Sequence, residues 1–312
     1  MIGPGELLAG WNLLEKIGKA RNWWRGRKVA LAETVVTRFV RLFESHGVHR
    51  NQIPRFIGHD LTLQDVQDDA SLLAKLDEQL LEAVCEKFAV RREWLDGAES
   101  QIHPCHGFYS YNPESFAQFI EGLMGANPDA RLQGVLIAPE ERGDAEALLI
   151  LQEVIGAVGE KPIYRFHLCH NWRFDYWKSR ADLTACVAIA WKHNVHVHGV
   201  WLPKKEIERL EEGKELLGWW GEGIWKLRGK RERWYPEDMA LKPEDFLRGV
   251  DPERDNYGII SGLGLWLKLE QQGFMNTGLP MYEAGDIRRL FEQELSKYQT
   301  AINKNYLDFI RG

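Results

Sequence analysis

Cysteine is scarce in this chain. Cys85, Cys105, Cys169 and Cys186 are the only four in 312 residues, and none stands in a CxxC pair. That excludes a disulfide-stapled scaffold and fits free thiols in a reducing compartment. No apolar run reaches the roughly 18 residues that a membrane-spanning helix needs. The stretch Met1 to Gly10 has neither the basic segment nor the apolar core of a secretory signal, so a cytoplasmic protein is expected. Chemical signatures are missing as well. There is no GxxxxGK[ST], HExxH or GxSxG string. Gly258, Gly262 and Gly264 in GIISGLG do not match a dinucleotide fingerprint. The neighbouring carboxylates Glu140–Glu141 and Glu211–Glu212 read as helix-start or solvated charges. The sequence therefore points to no catalytic residue and no cofactor, and an enzyme is not the expectation.

What is present begins with size and tryptophan. At 312 residues the chain has room for two or three domains with a sizeable core. Its 13 Trp residues are more than such a core requires and suggest interaction surfaces. The net charge of −6 is unevenly spread. Residues 1–30 carry Lys16, Lys19, Arg21, Arg25, Arg27 and Lys28 against Glu6 and Glu15, so the rest of the chain is strongly acidic.

Periodicity divides the chain into four parts. Residues 1–30 read as a basic amphipathic helix with Leu7, Trp11, Leu14 and Ile17 on one face. That face can dock on the protein body, on a second subunit or on a membrane surface, with self-docking the default. Residues 31–99 read as a module of short helices, one of them started by Thr62. Residues 98–112 read as a loop. Residues 113–214 read as an α/β domain with strands at Leu132–Ala138, Ile163–Cys169 and Val195–Trp201, and helices opening at Pro113, Asp144, Asp182 and Pro203. The Asp144 helix would bury Leu148, Leu151, Val154, Ile155 and Val158. Residues 215–312 are mixed and end in a long helix opened by Asp286, which packs on the body or forms a homodimer. The expected fold class is an α/β (or α+β) body with an N-terminal all-α, helix-turn-helix-like module.

Two stretches of the module carry a family likeness. Ile53-Pro54-Arg55-Phe56-Ile57-Gly58 is similar to an "LAxxLG" supporting helix. Leu80 to Gly97 is similar to "LLxxLAxxLGV" followed by "xxxWLxG", a pattern that packs Val90 and Trp94 against the preceding helix. On these residues, about a fifth of the chain, residues 33–97 resemble the helix-turn-helix domain of the lambda-repressor/XRE superfamily. The resemblance implies duplex DNA as partner, with Thr62, Gln64 and Gln67 towards bases and Arg50, Asn51 and Arg55 towards backbone. The stretch that would enter the groove, His59 to Asp69, holds four Asp and no Lys or Arg. The module as a whole has 8 basic and 13 acidic residues. Phosphate neutralisation supplies most non-specific DNA affinity, so the alternative is a helical module reused for protein contact.

Further candidates lie in the body. His167, His170, Trp172, Tyr176 and Trp177 cluster around the second strand, a composition that suits a small-ligand pocket. The strings His103-Pro104-Cys105-His106 and His167-Leu168-Cys169-His170 hold metal-ligating types, but at no standard finger spacing. No metal site is therefore expected. The segment IWKLRGKRERWY, residues 224–235, interleaves five basic residues with Trp225, Trp234 and Tyr235 and reads as a solvated loop. The functional expectation is a regulatory protein with a sensor domain for a ligand or partner. The alternative is an interaction or signalling protein whose helical module does not bind DNA.

Overall fold

A strand covered on both faces needs apolar side chains at every position, and such a run shows no alternation. Strand β2 (Leu132–Pro139) has this character, with all but one of its positions buried. It sits inside a six-stranded mixed sheet. The computed structural model describes residues 33–108, 113–128, 131–140, 146–218, 221–223, 233–252 and 258–311. In chain order the helical module comprises α1 (Val35–Ser45), α2 (Ile53–Ile57), α3 (Asp69–Leu73), α4 (Glu78–Phe88) and α5 (Arg92–Asp96). Then follow β1 (Cys105–Gly107), α6 (Pro113–Ala126), β2, β3 (Glu146–Val158), β4 (Lys161–Arg173), α7 (Trp177–Lys192), β5 (His196–Leu202) and α8 (Lys204–Glu211). The remainder is β6 (Arg233–Trp234), α9 (Asp238–Leu241), α10 (Pro243–Leu247), α11 (Gly258–Gln271) and α12 (Ala284–Arg311). The architecture is mixed α/β with a helical N-terminal region. The basic segment 1–30 lies outside the described residues.

The sheet order is β1-β4-β3-β2-β5-β6. Strands β2, β3 and β4 are antiparallel neighbours, while β5 runs parallel to β2 and β1 runs parallel to β4. The expected helix from Asp144 is the main correction. Residues Glu146–Val158 form a strand, so β3 lies between β2 and β4, which are not adjacent. The spacing of Leu148, Leu151, Val154, Ile155 and Val158 imitates a helical stripe because both faces of the strand are covered, so Leu149 and Ile150 are apolar and even Gln152 and Glu153 are buried. Leu149 packs on one face of the sheet, and Leu148 and Ile150 pack on the other. The β3–β4 turn is Gly159–Glu160, and Gly159 takes the left-handed φ of 63° that a two-residue hairpin turn demands. A second correction concerns residues 98–112, read as loop, which supply the short edge strand β1.

One face of the sheet packs on α6 and α7, with Leu136, Leu149, Leu151, Cys169 and Val197 pointing there. The other face packs on α8 through Ile207 and Leu210, with Val135, Ile137, Leu148, Ile150 and Leu168. Helices α10, α11 and α12 form a further layer outside α7. There Trp266 and Phe291 stack at 3.5 Å, which seats the first half of the terminal helix on the body. Within α7 the buried Arg180 guanidinium donates to the carbonyls of Phe174, Phe246 and Arg248 and lies over the Phe174 ring. It thereby fixes α10 against α7.

The helical module shares its core with the sheet. Phe39, Phe43, Val84, Phe88, Trp94 and Leu95 pack together, and Ile163 of β4 belongs to the same buried cluster. Ile155 and Val158 at the hairpin end lean on it. Gly156 lies so near the Phe56 ring that a Cβ there would come to 3.0 Å. The His46 ring is sealed in the seam, 4.7 Å from Phe88 and 5.8 Å from Phe166 between centroids. Burial pushes its pKa down to about 4.

A pH dependence follows with a definite sign. The native state favours neutral His46, whereas the unfolded chain takes up a proton near pH 6.5. The stability held by neutral His46 is therefore present above pH 6.5 and is lost as pH falls towards 4. Thermal melts between pH 7.5 and 4 should show a shallower acid-side decline for His46→Asn than for the parent chain. Parallel profiles would contradict the sealed seam.

Candidate functional site

The parallel pairing of β1 with β4 sets the two His/Cys strings side by side. Cys105 is opposite Leu168, His106 opposite Cys169 and Gly107 opposite His170. Strand alternation then sorts their side chains to opposite faces. Cys105 and His170 look towards α8, while His106, His167 and Cys169 look towards α6 and α7. Two polar clusters result, one on each face.

On the α6 face Glu153 is nearly sealed from solvent. It accepts a bidentate pair from Arg165 at 2.6 and 2.8 Å, a contact from His167 Nε2 at 3.0 Å and a bond from Asn127 at 3.1 Å. Burial alone would raise this carboxyl, but the bonds from His167 and Arg165 override it and hold the pKa near 2. Arg165 also donates to the Glu86 carbonyl at the end of α4, which ties the sheet to the module. Every strong donor in this cluster is occupied, so its role is to hold elements together.

On the α8 face Glu146 at the start of β3, His170 on β4 and Glu211 in the last turn of α8 converge. Their ligand-type atoms lie within 4.8 Å of one another. Three local features make this approach possible. Strand β3 is irregular between Ala147 and Leu149. Asn171 takes a left-handed φ of 77° directly after His170. The Pro203 carbonyl accepts from Glu206 and Ile207, which starts α8 immediately after β5 and aims its C-terminus at β4. Bulges and left-handed non-glycine residues concentrate at functional loci. Burial, and then the nearby Glu211 carboxylate, raise the Glu146 pKa. Burial would also raise Glu211, but His170 and the Glu146 carboxyl outweigh it and lower its pKa. Among the described residues no lysine or arginine pairs with either glutamate.

The five residues expected to line one ligand pocket are separated. His167 sits in the Glu153 cluster and His170 in the Glu146–Glu211 cluster. Trp172 is fully buried and donates its indole N–H to Asp182 at 2.8 Å. Tyr176 and Trp177 form an edge-on pair at the start of α7, with Trp177 packed against Gly262. From the sequence, Glu146 is passed over and Glu211, with Glu212, reads only as a helix-start or solvated charge. The linear signal is a carboxylate at a strand start for Glu146 and at a helix end for Glu211, and either also describes solvated charge.

The module's expected DNA-facing residues are differently employed. Arg50 Nε donates to the Val66 carbonyl at 2.6 Å and Nη1 pairs with Asp69 at 2.8 Å. Thr62 does not start a continued helix. Its hydroxyl and Asp65 bond reciprocally around a single turn. Continuation would bring the Ala70 N–H to the Val66 carbonyl, but Arg50 occupies that carbonyl and Asp68 holds the Ala70 N–H, so α3 begins at Asp69. Residues 59–68 are therefore turns. Asn51, Arg55, Gln64 and Gln67 are exposed, as are Asp60, Asp68, Asp69, Leu63 and Leu73.

No family model, curated protein or solved structure matches the chain.

The Glu153 cluster predicts a specific stability loss. Glu153→Gln leaves the half-buried Arg165 and the buried His167 without their anion, which typically costs about 3 kcal/mol. Urea unfolding at pH 7 should register a loss of that order, and a loss under about 1 kcal/mol would contradict the assigned role.

Proposed function

We propose that the protein is a regulator whose α/β domain reads a small ligand and whose helical module delivers the response through protein contact. The observation that carries this reading is continuity between the two parts. Ile163, Ile155 and Val158 of the hairpin pack into the module core. A backbone relay adds to it at the end of α8. The Gly213 carbonyl accepts from the N–H groups of Ile102 and His103 at 2.8 and 3.0 Å. The Ile102 carbonyl in turn accepts from Arg91 N–H at 2.8 Å, and Arg91 immediately precedes α5. A change of packing at α8 therefore has a short route into the module, and coupling of this kind needs a two-state element that both sites bias.

The outward face of the module favours a protein partner. Leu63 and Leu73 are 62% and 55% exposed among Asp60, Asp68 and Asp69. Exposed leucines in a stretch that also exposes carboxylates suit a partner surface that is apolar and basic. Duplex DNA, the second reading, is favoured by the exposure of Asn51, Arg55, Gln64 and Gln67. Against it stand the carboxylates and the internal use of Arg50.

Fluorescence anisotropy with labelled duplexes at low salt separates the readings. Protein contact predicts no binding tighter than about 10 μM, since the exposed Arg55 is outnumbered by Asp60, Asp68 and Asp69 and few counterions are released. Saturable binding that weakens log-linearly with salt and is further weakened by Arg55→Ala would replace this reading with the DNA one.

A further inference from the structure

We infer that Glu146, His170 and Glu211 form a site for one divalent transition-metal cation, and that this cation is the ligand the α/β domain reads. The second half of the inference rests on the regulator reading above, and the first half stands without it.

The chemistry of the three groups carries the argument. Two carboxylates and one imidazole come from three separate elements, β3, β4 and α8, and meet within 4.8 Å. Glu211 Oε1 is sealed from solvent and makes no hydrogen bond of normal geometry among the described residues, although the Glu146 carboxyl and the His170 ring both stand near it. The nearest ring atom, His170 Nδ1, is 3.6 Å away, too far for a bond. A buried acceptor left in that state ordinarily signals an absent donor or cation. The other acidic centre, Glu153, is satisfied by Arg165, His167 and Asn127, so the two clusters differ in the feature that matters.

The donor set also indicates the class of ion. Imidazole nitrogen favours zinc, iron and nickel, while carboxylate oxygen favours manganese and magnesium. A mixed set with one nitrogen and two oxygens suits Zn²⁺, Mn²⁺ or Fe²⁺. Ligand bonds of about 2.0–2.2 Å to zinc place neighbouring donors roughly 3.4 Å apart. Closure on an ion therefore draws Glu146 and Glu211 inward. Three protein ligands leave at least one coordination position for water, which sets the site apart from the closed four-ligand sites that staple a fold. Drawing Glu211 towards β3 pulls the last turn of α8, and Gly213 two residues later holds Ile102 and His103. The metal-bound and metal-free states then differ at the residue before α5.

The linear sequence hides such a site. His170 belongs to a His/Cys string whose spacing fits no finger, and its co-ligands lie 24 residues before it and 41 residues after it.

The test uses the full chain without an affinity tag, freed of metal with a chelator. Zn²⁺ and Mn²⁺ are titrated separately by calorimetry, and hydrogen exchange is followed with and without the ion. One equivalent of either ion should bind. His170→Ala and Glu146→Gln should each weaken it at least tenfold while circular dichroism stays unchanged. Glu146→Gln keeps the side-chain shape, so it serves if His170→Ala does not fold. Exchange of the Arg91–His103 amides should slow when the ion binds. Absence of binding, or binding that Glu146→Gln leaves unaltered, overturns the site. Site-dependent binding with unchanged exchange at Arg91–His103 upholds the metal site and overturns its link to the module.

Discussion

The structure depends on one long hairpin. Strands β3 and β4 pair from Glu146 opposite Arg173 to Val158 opposite Lys161. Thirteen residues at about 3.3 Å each carry the pair roughly 40 Å. That length exceeds what the helices flanking the sheet can cover, so the far end needs a cover of its own. The helical module supplies it, taking Ile155, Val158 and Ile163 into a core of phenylalanine, leucine and tryptophan. At the near end the same two strands hold Glu146 and His170 against Glu211. The module and the polar centre are far apart in sequence and are joined by this hairpin and by the backbone bonds from Gly213 through Ile102 to Arg91.

Polar groups along the hairpin follow its two faces. On the α6 face, Glu153 is neutralised by Arg165 and hydrogen-bonded to His167 and Asn127, and removing Arg165 leaves the carboxylate charge stranded in the core. On the α8 face, Glu146 and Glu211 meet with no lysine or arginine among the described residues to offset them. Two half-buried carboxylates so placed must share a proton or hold a cation. The seam with the module is different again. His46 and His103 are buried neutral, and desolvation keeps both pKa values far below the ordinary histidine range.

Much of the fold is legible in the sequence where one face of an element is wet. Helices α1, α4 and α6 show their buried stripes because solvent forces polar residues onto the other side. Strands β2, β4 and β5 are readable as short apolar runs bounded by turns. Strand β3 is not, because EALLILQEVIGAV is covered on both faces and its leucines fit either period. Gly156 and Gly159, which admit the Phe56 ring and the tight turn, are the local signals that favour a strand. The site is less legible than the fold. His170 stands out as a histidine on a strand, but Glu146 and Glu211 gain meaning only when the irregularity in β3 and the approach of α8 bring them together. Thr62 illustrates the converse. Its capping pattern forms, yet Arg50 and Asp68 take the groups that would extend it, so the expected helix stops after one turn.

The central claim is that the module and the sheet form one cooperative body through the hairpin. Native-state hydrogen exchange in increasing denaturant tests it most directly, because it reads the opening free energy of each element separately. The account predicts that amides of α1 and α4 open together with those of β3 and β4, with one shared denaturant dependence. A module that opens in a separate, lower-energy step while β3 and β4 stay protected would contradict it.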